Sequence, residues 1–138
     1  MTLLQFHVRP ALLAVALAGW MAMSTAMAGA PGQTGLRLIM VEQAGCPFCL
    51  RWDREVGSVY ASTPEGKAAP LLRVPREAPE IMGFKPVVFT PTFIVVRGDR
   101  EIGRITGYPG ESYYWEELGE LLKGAGYISE PAAAKPNG

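Results

Sequence analysis

Two cysteines are all that this 138-residue chain contains, and they stand two residues apart as Cys46-Pro47-Phe48-Cys49. Their setting narrows the folds open to the chain. The residues before them, Leu36 to Glu42 (LRLIMVE), form an apolar run that only Arg37 interrupts. Such a run reads as a strand buried on both faces of a parallel or mixed sheet. Gln43-Ala44-Gly45 is a turn. The period then changes: Cys49, Trp52, Val56 and Tyr60 recur as one helical stripe, while Arg51, Asp53, Arg54 and Glu55 are free to face water. Pro47 sits where a first-turn proline belongs. The pair therefore lies at a strand–turn–helix junction, with Cys46 at the helix N-terminus.

Further along, Thr63 and Pro64 are placed to cap and open a short helix. Leu71 to Val74 reads as a short strand. The proline-rich stretch after it reads as irregular, with one helical turn near Glu80. Thr92 to Val96 is a strong strand, Gly98-Asp99 a hairpin turn signal, and Glu101 to Thr106 the antiparallel return. Tyr114, Trp115, Leu118, Leu121 and Leu122 recur at helical spacing in a last amphipathic helix ending near Gly124. The order β-α-β-β-β-α, with a cysteine pair at the first strand–helix junction, is a thioredoxin-like arrangement. The expected fold is α/β: a mixed four-stranded sheet flanked by helices, in one domain over residues 36–124.

The first 28 residues read as a secretory signal. Arg9 and the amino terminus supply positive charge, Ala11 to Met23 is apolar, and Ala26-Met27-Ala28 offers small residues where a signal peptidase reads. The alternative is an uncleaved anchor, for which the apolar core is short of the roughly 20 residues a span needs. Export to the periplasm is the expectation, with a flexible leader over residues 29–35 and a fraying tail over residues 125–138. Cleavage after Ala28 leaves one acid in excess over the bases and removes His7, the only histidine. There is no basic face for nucleic acid and no imidazole for catalysis or metal binding. Chemistry falls to sulfur, carboxylates, amines, hydroxyls and backbone groups.

Three chemistries are open to the cysteines. Structural zinc wants four ligands, and this chain offers two, so a metal or cluster needs a second copy. An exported protein is allowed a structural disulfide, but closing so short a loop restricts little of the unfolded chain. A non-catalytic binding module with such a staple remains an alternative. The third is a redox dithiol. The helix N-terminus sets partial positive charge and free N–H groups beside Cys46, and this favours the attacking thiolate. In that reading Cys46 attacks, a mixed disulfide forms, and Cys49, one turn inside and expected to be the more buried, resolves it. No cofactor is called for.

Several segments together carry a resemblance. The export signal, the CPFC motif, Thr90-Pro91-Thr92-Phe93 and the hairpin end Gly103 to Gly110 (GRITGYPG) resemble periplasmic thioredoxin-like proteins over most of Leu36 to Lys123. More narrowly, Val41 to Gly57, Thr63 to Leu71 and Thr90 to Gly110 resemble the SoxS-type thioredoxins that accompany bacterial sulfur-oxidation systems. The resemblance implies a protein thiol–disulfide oxidoreductase, monomeric, that reduces or reactivates a sulfur-carrier protein. It also implies a membrane thiol transporter as electron donor. It places a cis-proline at Pro91, opposite the cysteines, leaving Thr90 backbone groups to pair with a substrate strand. Pro47 and Phe48 would then face the partner.

The departures from that family are as informative. Gly45 stands where general thioredoxins carry tryptophan, and Met40 where they carry a buried acid. Glu42 is the nearest acid on the strand and a candidate for proton transfer at Cys49. The Cys-Pro-aromatic-Cys motif is similar to that of glutaredoxins. Thr before the cis-proline also occurs in disulfide isomerases, so glutaredoxin-like or oxidant/isomerase activity stays open. Trp52 reads as core and Phe48 as exposed. Gly107, Tyr108 and Pro109 form either a loop near the site or a simple reversal. Arg51 and Glu55 read as a solvated pair.

Overall fold

The computed structural model describes residues 34–127; the expected signal segment, most of the expected leader and the tail beyond Tyr127 lie outside the described residues. The elements are β1 (Leu36–Glu42), helix α1, α2 (Pro64–Ala68), β2 (Leu71–Pro75), a 3-10 turn (Pro79–Ile81), β3 (Thr92–Arg97), β4 (Arg100–Thr106) and α3 (Glu111–Gly124). Helix α1 winds continuously through Pro47–Trp52, Asp53–Gly57 and Ser58–Tyr60, and its middle stretch is a π-helix. The four strands form one mixed sheet in the order β2-β1-β3-β4, with β1 parallel to β2 and both other pairings antiparallel.

Strand β1 is apolar on both sides because both faces of the sheet are covered. Leu36, Leu38 and Met40 join Phe93 and Val95 under the helices, packed with Trp52, Val56 and Tyr60 of α1 and Tyr114, Leu118 and Leu122 of α3. Ile39, Val41, Ile94 and Val96 point the other way. That second face is closed by Val74, Ala78 and Ile81, with Phe84 and Val87 beside them. The cover there is the proline-rich segment between β2 and β3, which packs rather than merely connects. Each large side chain so buried contributes about 1.5–3 kcal/mol.

The local signals act as their chemistry predicts. Thr63 Oγ1 accepts from Gly66 N–H at 3.0 Å and donates to the Tyr60 carbonyl at 2.7 Å, which couples the end of α1 to the start of α2. The last helix ends at Gly124, as its spacing predicts, and a closing turn follows. Tyr127 N–H bonds to Leu122 O at 2.9 Å and Gly126 N–H to Lys123 O at 2.9 Å, with Gly126 at φ +81°. This is a Schellman ending. It brings Tyr127 onto the core, and Arg97 donates to the Ala125 carbonyl at 2.6 Å.

The sheet register gathers one end of the fold. Val41 pairs with Thr92, Thr92 with Thr106, and Glu42 with Pro75. The C-terminal ends of β1, β2 and β4, the start of β3 and the N-terminus of α1 therefore meet at a single edge.

Candidate functional site

That edge holds the two cysteines. Gly45 turns the chain out of β1 at φ +73°, a left-handed corner that favours glycine. Cys46 follows in extended conformation as the N-cap of α1, with Pro47 in the first turn. Its sulfur accepts the backbone N–H of Cys49 at 3.1 Å, and its carbonyl closes the first helical turn by accepting from Leu50 at 3.2 Å. Cys46 and Cys49 are joined in a disulfide, with Cα atoms 5.3 Å apart. Among the described residues no group of three or more His, Cys, Asp or Glu side chains is placed to hold a metal ion.

The expected difference in depth between the cysteines is absent: each is 4% exposed. In the disulfide both sulfurs belong to the core cluster that also contains Tyr108 and Met40. Burial does not distinguish them in this state. The N–H bond to the Cys46 sulfur does.

The Thr90–Pro91 peptide bond is cis, and Pro91 immediately precedes β3 at the same edge. Its carbonyl accepts the N–H of Gly107 at 2.7 Å, which fastens the loop ahead of β3 to the turn after β4. Between them lies an open groove of about 530 Å³, lined by Phe48, Phe89, Thr90, Thr106, Gly107, Tyr108 and Pro109. Phe48 is 51% exposed and Phe89 64%, so the rim is apolar and faces solvent. Trp52, by contrast, is fully buried, with ring centres 5.3 Å from Phe93 and 5.9 Å from Tyr114.

A second cleft, of about 410 Å³, opens on the other side of the cysteines and is lined by Glu42, Gly45, Cys46, Cys49, Asp53 and Arg73 among others. Glu42 does face the cysteines' cleft, but it is not a free acid. Both its oxygens are engaged by Arg73, which also donates to Asp53 at 2.6 and 3.2 Å and lies over the Trp52 ring at 6.0 Å. The bonds to Glu42, then those to Asp53, push the guanidinium pKa further up. The cleft thus carries one cation between two carboxylates. Sequence reasoning had no way to see this from Arg73 itself. The signal lies in the pairing of Met40 with Arg73 across β1 and β2, which sets the arginine beside an acid-ended strand.

That charge arrangement carries an expected result. Arg73→Leu leaves two uncompensated carboxylates beside the cysteines, disfavours the Cys46 thiolate, raises its pKa and makes the pair more reducing. Asp53→Asn does the opposite. One unit of charge across a solvent-lined cleft is worth about 1 kcal/mol, which is about 20 mV for a two-electron couple. Both shifts shrink in high salt. Equilibration against glutathione at low and high ionic strength checks the signs.

Comparison with solved structures finds similar proteins, three of which follow. The periplasmic thioredoxin SoxS from Paracoccus pantotrophus, in its reduced form, is 47% identical, with a TM-score of 0.62, over 65% of this chain and 98% of that one. Trxlp from Edwardsiella tarda EIB202 is 21% identical, with a TM-score of 0.48, over 64% of this chain and 86% of that one. The thioredoxin Mala s 13 from Malassezia sympodialis is 17% identical, with a TM-score of 0.47, over 67% and 79%. No protein-family model and no curated protein matches the chain.

Proposed function

Because this chain belongs to the SoxS-type thioredoxins and is a thiol–disulfide oxidoreductase, we propose that it works outside the cytoplasm and reduces a disulfide in a partner protein. The observation that carries this reading is the Cys46 sulfur at a helix N-terminus, accepting the Cys49 N–H at 3.1 Å beside an apolar, solvent-facing groove. An N–H aimed at sulfur stabilises thiolate, the species that attacks. A groove with exposed Phe48 and Phe89 suits a protein surface better than water.

The reaction follows from this arrangement. The Cys46 thiolate attacks one sulfur of the partner disulfide, a mixed disulfide forms, and the first partner thiolate leaves. Cys49 then loses its proton and attacks the Cys46 sulfur, expelling the second partner thiolate. Two electrons pass to the partner, and the Cys46–Cys49 disulfide remains on this protein. Glu42 faces the same cleft as Cys49 and is the candidate for receiving the Cys49 proton, a role in which it exchanges one of its bonds to Arg73 for that proton. Thr90 offers backbone groups, and Pro47 and Phe48 side-chain surface, to the incoming segment. A dithiol donor at the membrane restores the reduced form, and a sulfur-carrier protein is the partner implied by the SoxS resemblance. The periplasmic location of the Paracoccus relative supports export.

The test is the reduction potential of the Cys46–Cys49 pair, read by mass shift after equilibration with glutathione. A reductant of this kind is expected near the thioredoxin level, about −270 mV. A value of about −120 to −180 mV, where oxidants and isomerases lie, would sink the reductant reading.

A further inference from the structure

Disulfide exchange has to bring three sulfurs into line, and alignment is a large part of its rate. One wall of the groove is the turn from Thr106 to Pro109. Glycines give that turn its corners, Gly107 at φ +83° and Gly110 at φ +110°. Corners of this kind leave a turn free to swing unless it is tied down. Here it is tied on two sides. Toward β3, Gly107 N–H bonds the Pro91 carbonyl at 2.7 Å. Toward α1, the Tyr108 hydroxyl donates to Glu55 Oε2 at 2.6 Å.

Glu55 is itself held. Arg51 Nε donates to Glu55 Oε1 at 2.9 Å, and the Arg51 guanidinium lies 5.7 Å from the centre of the Tyr108 ring. The Tyr108 bond first, then that of Arg51, keeps the Glu55 carboxyl below the usual range. Burial, then the Glu55 bond, pushes the Tyr108 phenol up, so it remains a donor. Tyr108 is 6% exposed, yet it lines the groove with Gly107 and Pro109. Arg51 and Glu55 both stand on α1, the helix that begins at the cysteines. The bond therefore links the groove wall to the frame that holds the reacting sulfurs.

We infer that Tyr108 and Glu55 are positioning residues for exchange with protein disulfides: their hydrogen bond fixes the groove wall to the cysteine helix and so sets where the partner's sulfur arrives. This rests on the groove being the partner's channel, as proposed above. The solvated pair expected of Arg51 and Glu55 is then one half of a three-residue strap.

Glu55→Ala tests it, because Glu55 lies outside the groove lining and its loss removes the anchor of the Tyr108 hydroxyl together with the pair to Arg51. With insulin as the protein disulfide, kcat/KM is expected to fall about tenfold, mainly through KM. The rate with neutral bis(2-hydroxyethyl) disulfide, which needs no groove, stays at the wild-type value, as does the reduction potential. Glu55→Gln keeps an oxygen for Tyr108 to donate to and recovers most of the insulin activity. Tyr108→Phe matches Glu55→Ala on insulin, and the double variant is no worse than either alone. Equal losses on both disulfides, or no loss on insulin, overturn the inference alone. Failure of the wild-type protein to reduce insulin at all overturns the groove as a channel for protein disulfides, and the inference with it.

Discussion

Cys49→Ser protein is expected to accumulate in cells as a mixed disulfide with its partner through Cys46, whereas Cys46→Ser protein accumulates none. Turnover of a protein disulfide falls by about three orders of magnitude or more in both variants, since each lacks one of two sulfurs that act as a unit. The asymmetry in trapping comes from the helix terminus. Exposure does not supply it, because both cysteines are equally buried in the disulfide. Cys46 is the N-cap, and its sulfur receives the N–H of Cys49. Cys49 lies within the first turn, where its own N–H is spent on that bond. This favours a thiolate at Cys46 and is the ground for expecting Cys46 to attack. Gel-shift of the trapped species without reductant, followed by mass spectrometry of the linked peptides, identifies both the attacking cysteine and the partner. A trap that forms through Cys49 in the Cys46→Ser variant would reverse the assignment.

The parts of this site that were legible in the sequence are those set by spacing along the chain. A run buried on both faces, a turn and a 3.6-residue stripe place Cys46 and Cys49 at a helix start whatever the rest of the molecule does. The place of Pro91 at the same edge was legible only through the resemblance of Thr90-Pro91-Thr92-Phe93 to the thioredoxin pattern. The rest depends on register and on an irregular winding. Arg73 meets Glu42 only because β1 and β2 pair in parallel with Met40 opposite Arg73. No local pattern marks the π stretch Asp53–Gly57 that carries Glu55, the acceptor for Tyr108. The last helix does end at Gly124, where its spacing places the stop. What spacing does not show is the turn beyond it, in which Gly126 takes the positive φ and Tyr127 packs against the core. Local chemistry names the candidates, and packing chooses among them.

Trp52→Ala is expected to destabilise the domain by about 3–5 kcal/mol, the usual loss for a large aromatic in a close-packed core. Trp52 is fully inaccessible, and Phe93, Tyr114 and Tyr60 surround it with ring centres 5.3, 5.9 and 6.2 Å away. A loss of that size is a large fraction of the roughly 5–15 kcal/mol that holds a domain together, and it appears as a clear fall in the urea midpoint with little change in slope. Its redox consequence is of another kind. The potential of the folded pair differs from that of an unfolded dithiol by the difference in folding stability between the oxidised and reduced forms. A cavity under α1 weakens both forms alike, so that difference stays put. The charge variants at Arg73 and Asp53 touch the reduced form, through its thiolate, far more than the oxidised one. Trp52→Ala is therefore expected to lower stability greatly while leaving the potential unmoved, and Arg73→Leu to move the potential with little loss of stability. Urea titrations of the oxidised and reduced forms of each variant, set beside their glutathione equilibria, test this separation. A shift above about 20 mV in Trp52→Ala, equivalent to about 1 kcal/mol for a two-electron couple, would mean that the aromatic core itself distinguishes the two redox states.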